Sequence, residues 1–307
     1  MVSVDKKPKS QTTIQVQGVT KQFGTNIAVN DVTFDIRKGE VVGFLGPNGS
    51  GKTTTMRLLT SFYTPDKGTI LIDGIDNQEH DLETRKKIGY LPENNPVYGD
   101  LLVKDQLDFV AELRGIRGND RRTKIDRAVE ETGLQEVYYR PVRQCSKGYK
   151  QRVGLAQAIL HRPEILIMDE PTEGLDPNQR VPIRELIRSV GTDRTVLLST
   201  HVLQEVEETC DRLLIISRGR IVAQGTIDEL RKMARRDTVV SVEVVGDDAI
   251  ENSLNKLKSV RSVQSVGRTD DRKRFLLSVY GKVDVRPEIF ELAKKRDWTL
   301  WEIHEET

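Results

Sequence analysis

Two short runs in this sequence carry residue types suited to phosphate chemistry. Gly46-Pro47-Asn48-Gly49-Ser50-Gly51-Lys52-Thr53 matches the pattern G-x-x-x-x-G-K-[ST]. Five residues of core-strand character, 41–45, precede it, and a helical pattern follows with Met56, Leu58 and Leu59 available for burial. Glycines let backbone N–H groups converge on phosphate oxygens without side-chain obstruction. A helix beginning there points its positive end at the same oxygens. Lys52 is then expected to reach the β- and γ-phosphates of a nucleotide and the Thr53 hydroxyl to hold Mg²⁺, with Thr54 closing the phosphate-binding segment. The second run, Ile165-Leu166-Ile167-Met168-Asp169-Glu170-Pro171, reads as a buried strand that delivers two carboxylates to its C-terminal edge, where ligands of open α/β sheets bind. Adjacent strand residues point in opposite directions. Asp169 is therefore expected to contact Mg²⁺, through water, and Glu170 to orient and deprotonate an attacking water. Alone, either run could be an ordinary turn or strand end; together they favour nucleotide hydrolysis.

The elements that must position these runs are legible around them. The chain has 307 residues, with 36% hydrophobic and 31% charged, enough to build two cored domains. Its 48 basic and 47 acidic residues leave a net charge of +1, which offers no case for nucleic-acid or membrane-surface binding, and no nucleic-acid partner is expected. No stretch reaches the roughly 20 apolar residues of a membrane span, and no apolar run follows the N-terminal lysines as a secretory signal would require. Two cysteines and four scattered histidines suggest neither a disulfide framework nor a metal-ligand pattern. Residues 1–13 read as a flexible tail and 14–235 as one domain, with short strands at 14–19, 27–36, 41–45, 68–74, 165–168, 195–199 and 212–216. Strands alternating with helical patterns argue for a mainly parallel core sheet covered on both faces. Residues 96–161 read as an all-helical insertion, with Leu102, Gln106, Phe109, Val110 and Leu113 fitting one helical face and Ile125, Ala128 and Val129 another. A charged run at 231–237 marks the expected boundary. Residues 236–307 then follow the order βαββαβ, a small α+β ferredoxin-like domain, in which Trp298 and Trp301 read as strand core.

Further runs complete a recognisable set. Cys145-Ser146-Lys147-Gly148-Tyr149-Lys150-Gln151-Arg152 precedes the carboxylate pair by some twenty residues, Gly174-Leu175-Asp176-Pro177 follows it, and Ser199-Thr200-His201 ends the next strand. In this order and spacing the chain resembles the ATP-binding-cassette (ABC) ATPases over residues 14–235. The resemblance implies a P-loop NTPase fold with a mainly parallel core sheet, an antiparallel β subdomain and a helical insertion. It implies ATP and Mg²⁺ as ligands, with Phe23 stacking on adenine. Ser146 and Gly148 would contact the γ-phosphate bound by an opposite subunit, Asp176 would cross the dimer interface, and His201 would sense the γ-phosphate. The catalytic set is then Glu170, His201 and Lys52, and the metal ligands are Thr53, Glu93 and Asp169.

Some positions depart from the family pattern. Cys145, Lys147 and Tyr149 replace three of the five residues Leu-Ser-Gly-Gly-Gln, and Glu93, after Ile88-Gly89-Tyr90-Leu91-Pro92, stands where glutamine is usual. A carboxylate still suits Mg²⁺ but positions water differently. Both variants resemble the ABC-2 exporter branch, and within it the ATP-binding subunit of gliding-motility-type exporters. The resemblance implies ATP-dependent dimerisation, with itself or with a related ATPase. It also implies a separate multi-span membrane permease received at residues 94–102 and 138–144, and a cytoplasmic location against the inner face of the cell membrane. The C-terminal domain is expected to support the dimer. A non-transport mechanical clamp or a nucleotide-dependent regulator is the alternative.

Overall fold

The computed structural model describes residues 12–234, 237–247, 249–269, 271–281 and 283–306. The expected flexible tail lies, except for Thr12 and Thr13, outside the described residues. The chain divides between Ile227 and Asp228 into two compact units. The first begins with paired strands β1 (Thr12–Phe23) and β2 (Asn26–Arg37), followed by β3 (Val41–Leu45) and helix α1 (Lys52–Leu59). Then come β4 (Lys67–Ile72), β5 (Ile75–Asp76), α2 (Asp81–Lys87) and β6 (Ile88–Leu91). Helices α3 (Val103–Leu113), α4 (Gly118–Thr132) and α5 (Lys147–Ile159) form the insertion. The chain returns through β7 (Ile165–Asp169), α6 (Pro177–Gly191), β8 (Thr195–Thr200), α7 (Leu203–Thr209), β9 (Arg212–Ser217) and β10 (Arg220–Gly225).

Two sheets result. The antiparallel one has the order β2-β1-β4-β5, and the six-stranded one has the order β10-β9-β3-β8-β7-β6, parallel except for β10 at its edge. Every residue of β7 and β8 is buried, as central strands covered on both faces require. A single apolar core runs from Ile14, Val16 and Phe34 of the first sheet through Met56, Leu58 and Leu59 of α1 to Phe44, Ile167 and Leu214 of the second. The glycine-rich run 46–53 is thereby seated at the carboxyl end of a parallel strand, where ligands of open α/β sheets bind.

In the helical insertion Ile125, Ala128 and Val129 of α4 are buried together, but the buried stripe of α3 shares only Gln106 with the expected face. Val103, Gln106, Leu107 and Ala111 face inward, whereas Phe109 is 39% and Leu113 71% exposed. The i, i+4 spacing of residues 103, 107 and 111 defines the inner face, and Phe109 sits on the other, edge-on to Tyr98 at 5.6 Å. The segments 99–104 and 138–143 are joined by backbone bonds, including Arg143 N–H to the Gly99 carbonyl (2.8 Å) and Lys104 N–H to the Tyr138 carbonyl (2.9 Å).

The division between the units falls just ahead of the charged run at 231–237. Helix α8 (Ile227–Ala234) extends into it, with Asp228 and Glu229 in its first turn and Arg231 and Lys232 in its last, the arrangement a helix dipole favours. The second unit continues with β11 (Asp237–Val245), α9 (Ile250–Leu254), β12 (Val260–Thr269), β13 (Arg272–Tyr280), α10 (Arg286–Arg296) and β14 (Thr299–Glu306). Its sheet order β12-β13-β11-β14 is all antiparallel, the ferredoxin-like arrangement, with Val242, Phe275, Leu277, Ile289 and Trp298 in its core. Trp301 departs from the expected core role: it is 55% exposed, and the Arg272 guanidinium lies 3.5 Å from its ring centre.

Candidate functional site

The loop between β3 and α1 takes its shape from close backbone approach. A side chain at Gly46 would collide with the Ile216 carbonyl of β9, and one at Gly51, whose φ is +107°, with the Ala28 carbonyl of β2. The β9–β10 turn braces the loop from the same flank, Gly219 N–H donating to the Ser50 carbonyl (2.9 Å) and Asn30 N–H to the Gly219 carbonyl (2.8 Å). Lys52 is buried, its Nζ donating to the carbonyls of Gly46 (2.8 Å) and Pro47 (3.2 Å) and lying 3.2 Å from Glu170 Oε1.

Glu170 itself sits just past β7 at a φ of +48°, a costly conformation for a residue with a side chain. Ser199 of β8 holds it there: Glu170 N–H reaches both the Ser199 carbonyl (3.2 Å) and its Oγ (3.0 Å). The same Ser199 Oγ donates to Asp169 Oδ1 (2.6 Å). Asp169 is fully buried, and its Oδ2 has no hydrogen-bond partner. His201, one residue beyond β8, places Nδ1 3.1 Å from Glu170 Oε2 and 3.8 Å from Glu173 Oε2. Behind this pair, Glu205 accepts from Thr172 (2.7 Å) and Thr200 (2.8 Å) and pairs with Arg180 (3.3 Å), tying the ends of β7 and β8 together. Burial, reinforced by the charge of Asp169, pushes the Tyr90 hydroxyl of β6 up to about 12, so it stays protonated beneath the site.

These groups open into one cavity of about 690 Å³. Of the sequence-selected residues, Phe23, Asn48, Gly49, Gly51, Lys52, Thr53, Thr54, Glu93, Glu170 and His201 line it. Gly46, Pro47 and Ser50 complete the loop beneath, and Asp169 lies buried behind Glu170. Phe23, 42% exposed, is braced edge-on by Tyr63 at 5.2 Å. The cavity walls also contain Asn26, Ile27, Ala28, Glu173, Arg218 and Gly219, none of which was selected from sequence. Arg218 and Gly219 form a hairpin turn at the C-terminal edge of a parallel strand, which was the available signal; the three β2 residues carried none.

Ser146, Gly148 and Asp176 are not brought into that cavity. Ser146 and Gly148 border a separate concavity of about 330 Å³ with Tyr149, Arg152 and Gln179. Ser146 caps α5, its Oγ accepting from Tyr149 N–H (3.3 Å), and Asp176 caps α6, accepting from Gln179 N–H (2.9 Å). Helix α5 is tied to the carboxylate loop by Gln151 Nε2 donating to the Pro171 carbonyl (3.1 Å).

Residues 29–173 match the ABC transporter family. The chain is 36% identical over 228 residues to the probable multidrug ABC transporter ATP-binding protein YbhF of Escherichia coli (strain K12), covering 74% of this chain and 39% of that protein. It thus spans less than half the length of that relative. It is 32% identical over 252 residues to the linearmycin resistance ATP-binding protein LnrL of Bacillus subtilis (strain 168), covering 81% of each. Among solved structures, a dimeric post-hydrolysis state of the ATP-binding cassette MJ0796 bound to ADP and Pi superposes with a TM-score of 0.62 at 25% identity. That match covers 70% of this chain and 98% of the cassette.

Proposed function

The chain belongs to the ATP-binding proteins of ABC transporters, and from that premise we propose that it hydrolyses ATP to ADP and phosphate to drive a separate membrane permease of the ABC-2 exporter type. One observation carries the reading: Phe23, Lys52, Glu93, Glu170 and His201 face a single cavity, while Ser146 and Gly148 face another. Each chain would then offer a loop that binds ATP and, on a different surface, the Ser146–Gly148 helix start that closes over ATP held by a second subunit. ATP favours the closed pair by its differential affinity for it, and loss of the γ-phosphate reopens the pair.

Within the cavity, phosphate oxygens would take Lys52 from Glu170. Glu170, held by Ser199 and His201, then accepts a proton from the attacking water. His201 hydrogen-bonds the transferring phosphoryl group, and Phe23 stacks on adenine. The oxygen donors fit a hard divalent cation: the Thr53 hydroxyl and Glu93 carboxylate line the cavity, and Asp169 keeps a buried, unpartnered Oδ2. Mg²⁺ held by Thr53, Glu93 and Asp169 would neutralise phosphate charge.

Among the described residues no helix is long and apolar enough to cross a membrane, so the permease is a separate chain in this reading. Its docking surface would be residues 94–102 and 138–144, where Tyr98 and Tyr139 are 59% and 74% exposed and Tyr98, Leu101 and Phe109 line an apolar groove. This puts the chain at the inner face of the cell membrane. The C-terminal unit supports the dimer. Ser146→Arg tests the shared site: it should retain nucleotide binding while abolishing ATP-dependent dimerisation on size exclusion. A variant that still dimerises with ATP and turns over normally would sink the two-subunit mechanism.

A further inference from the structure

Three carboxylates, Glu93, Glu170 and Glu173, line the nucleotide cavity, against two side chains that carry a permanent positive charge, Lys52 and Arg218. The charged side chains around a triphosphate therefore carry no net positive charge. Lys52 is already engaged by two carbonyls and Glu170. Arg218 has no side-chain hydrogen bond or ion pair among the described residues, and it is exposed at the cavity wall. An arginine left unpartnered beside a phosphate-binding loop is poised for an anion.

Sheet order says which part of the anion it meets. Strand β9 flanks β3 on one side, and β8, β7 and β6 follow on the other. Glu170, His201 and Glu93 therefore rise from one flank of the phosphate-binding loop, and Arg218 from the opposite flank. There its neighbour Gly219 packs on Ala28 and bonds Ser50. Ala28 and Ile27 lead along β2 toward Phe23, the residue assigned to adenine. Arg218 thus stands between the adenine end and the phosphate loop, away from the carboxylates. Its backbone is held at a φ of +48°, a conformation that a side chain resists, with the adjoining Gly219 bonded to both Ser50 and Asn30.

We propose that Arg218 is a further nucleotide-binding residue of this cavity, its guanidinium engaging the α-phosphate. The proposal rests on the ATP-binding reading and deepens it. An α-phosphate contact is common to ATP and ADP, unlike the γ-phosphate contact of His201. Equilibrium binding of ATP and of ADP to the full chain, in magnesium-containing buffer, tests it. Arg218→Ala should weaken both nucleotides by a similar factor, about tenfold, the scale of one exposed charge-assisted hydrogen bond. Arg218→Lys should recover part of the loss and Arg218→Glu deepen it. Because no described residue bonds the side chain, the nucleotide-free Arg218→Ala protein should unfold at the wild-type temperature. Arg218→Asn, which tolerates the left-handed backbone, should weaken binding as alanine does.

Unchanged affinity in Arg218→Ala overturns the proposal, as does a loss confined to ATP. A loss absent in Arg218→Asn overturns it too, since the backbone and not the guanidinium would then be responsible. Wild-type protein that binds neither nucleotide would instead refute the ATP-binding reading itself.

Discussion

Replacing Glu170 by glutamine removes a charge and keeps the shape, so two consequences can be separated. As general base, Glu170 should account for about 10²–10⁴ in turnover, or about 2.7–5.4 kcal/mol of barrier at 1.36 kcal/mol per decade. The second consequence comes from Lys52, 3.2 Å from Glu170 with the two side chains only 6% and 8% exposed. At an effective dielectric near 20 their attraction is about 5 kcal/mol, much of it offset by burying both charges. Phosphate must compete with that carboxylate for the ammonium. In Glu170→Gln, Lys52 keeps neutral oxygen acceptors but loses its counter-charge, so ATP should bind more tightly, by about tenfold. The nucleotide-free variant should also be less stable, by about 3 kcal/mol, because a buried ammonium loses its counter-charge. Phosphate release, equilibrium ATP binding and thermal unfolding with and without ATP measure the three effects. Turnover within tenfold of wild type would refute Glu170 as the base. Unchanged ATP affinity together with unchanged apo stability would refute the competition for Lys52.

Gly51→Ala should destabilise the fold by about 2–4 kcal/mol and abolish ATP binding, because its φ of +107° and the Ala28 carbonyl leave no place for a methyl group; urea unfolding and ATP titration check both. Ser199→Ala should cost about 2–4 kcal/mol in the same unfolding assay, since it leaves fully buried Asp169 without the hydroxyl that binds Oδ1. Burial holds His161 at about 4, and its Nε2 hydrogen-bonds the Ile88 carbonyl at 3.1 Å. The unfolded side chain takes up a proton near 6.5. Below that pH the unfolded state binds the proton first, so stability is lost as pH falls from about 6.5 to 4, by up to about 3 kcal/mol. His161→Gln should flatten that part of the stability–pH curve.

The parallel core and the ferredoxin-like order were legible because both depend on short-range patterns. Residues 165–168 could only be a strand buried on both faces, and they lie inside β7, which sheet pairing extends to Asp169. Apolar character grouped Phe109 and Leu113 with Gln106 on one helical face, but it does not say which face meets a neighbour, and Phe109 finds Tyr98 on the outer one. The charged run at 231–237 begins just past the division between Ile227 and Asp228, and its first residues close a short helix whose end charges suit the helix dipole.

By itself the sequence singled out the glycine-rich loop 46–53 and the carboxylates Asp169 and Glu170, because the chemistry expected of them depends on contiguous backbone and on fixed spacing along a strand and the turn that follows it. Tertiary structure decided the company they keep. Only the order of strands across the sheet sets Arg218 on one flank of Lys52 and Glu170 with His201 on the other, and only the course of α5 turns Ser146 and Gly148 toward a different surface. Residues more than a hundred positions apart meet through packing, and packing leaves no signature in the spacing of the residues that it joins.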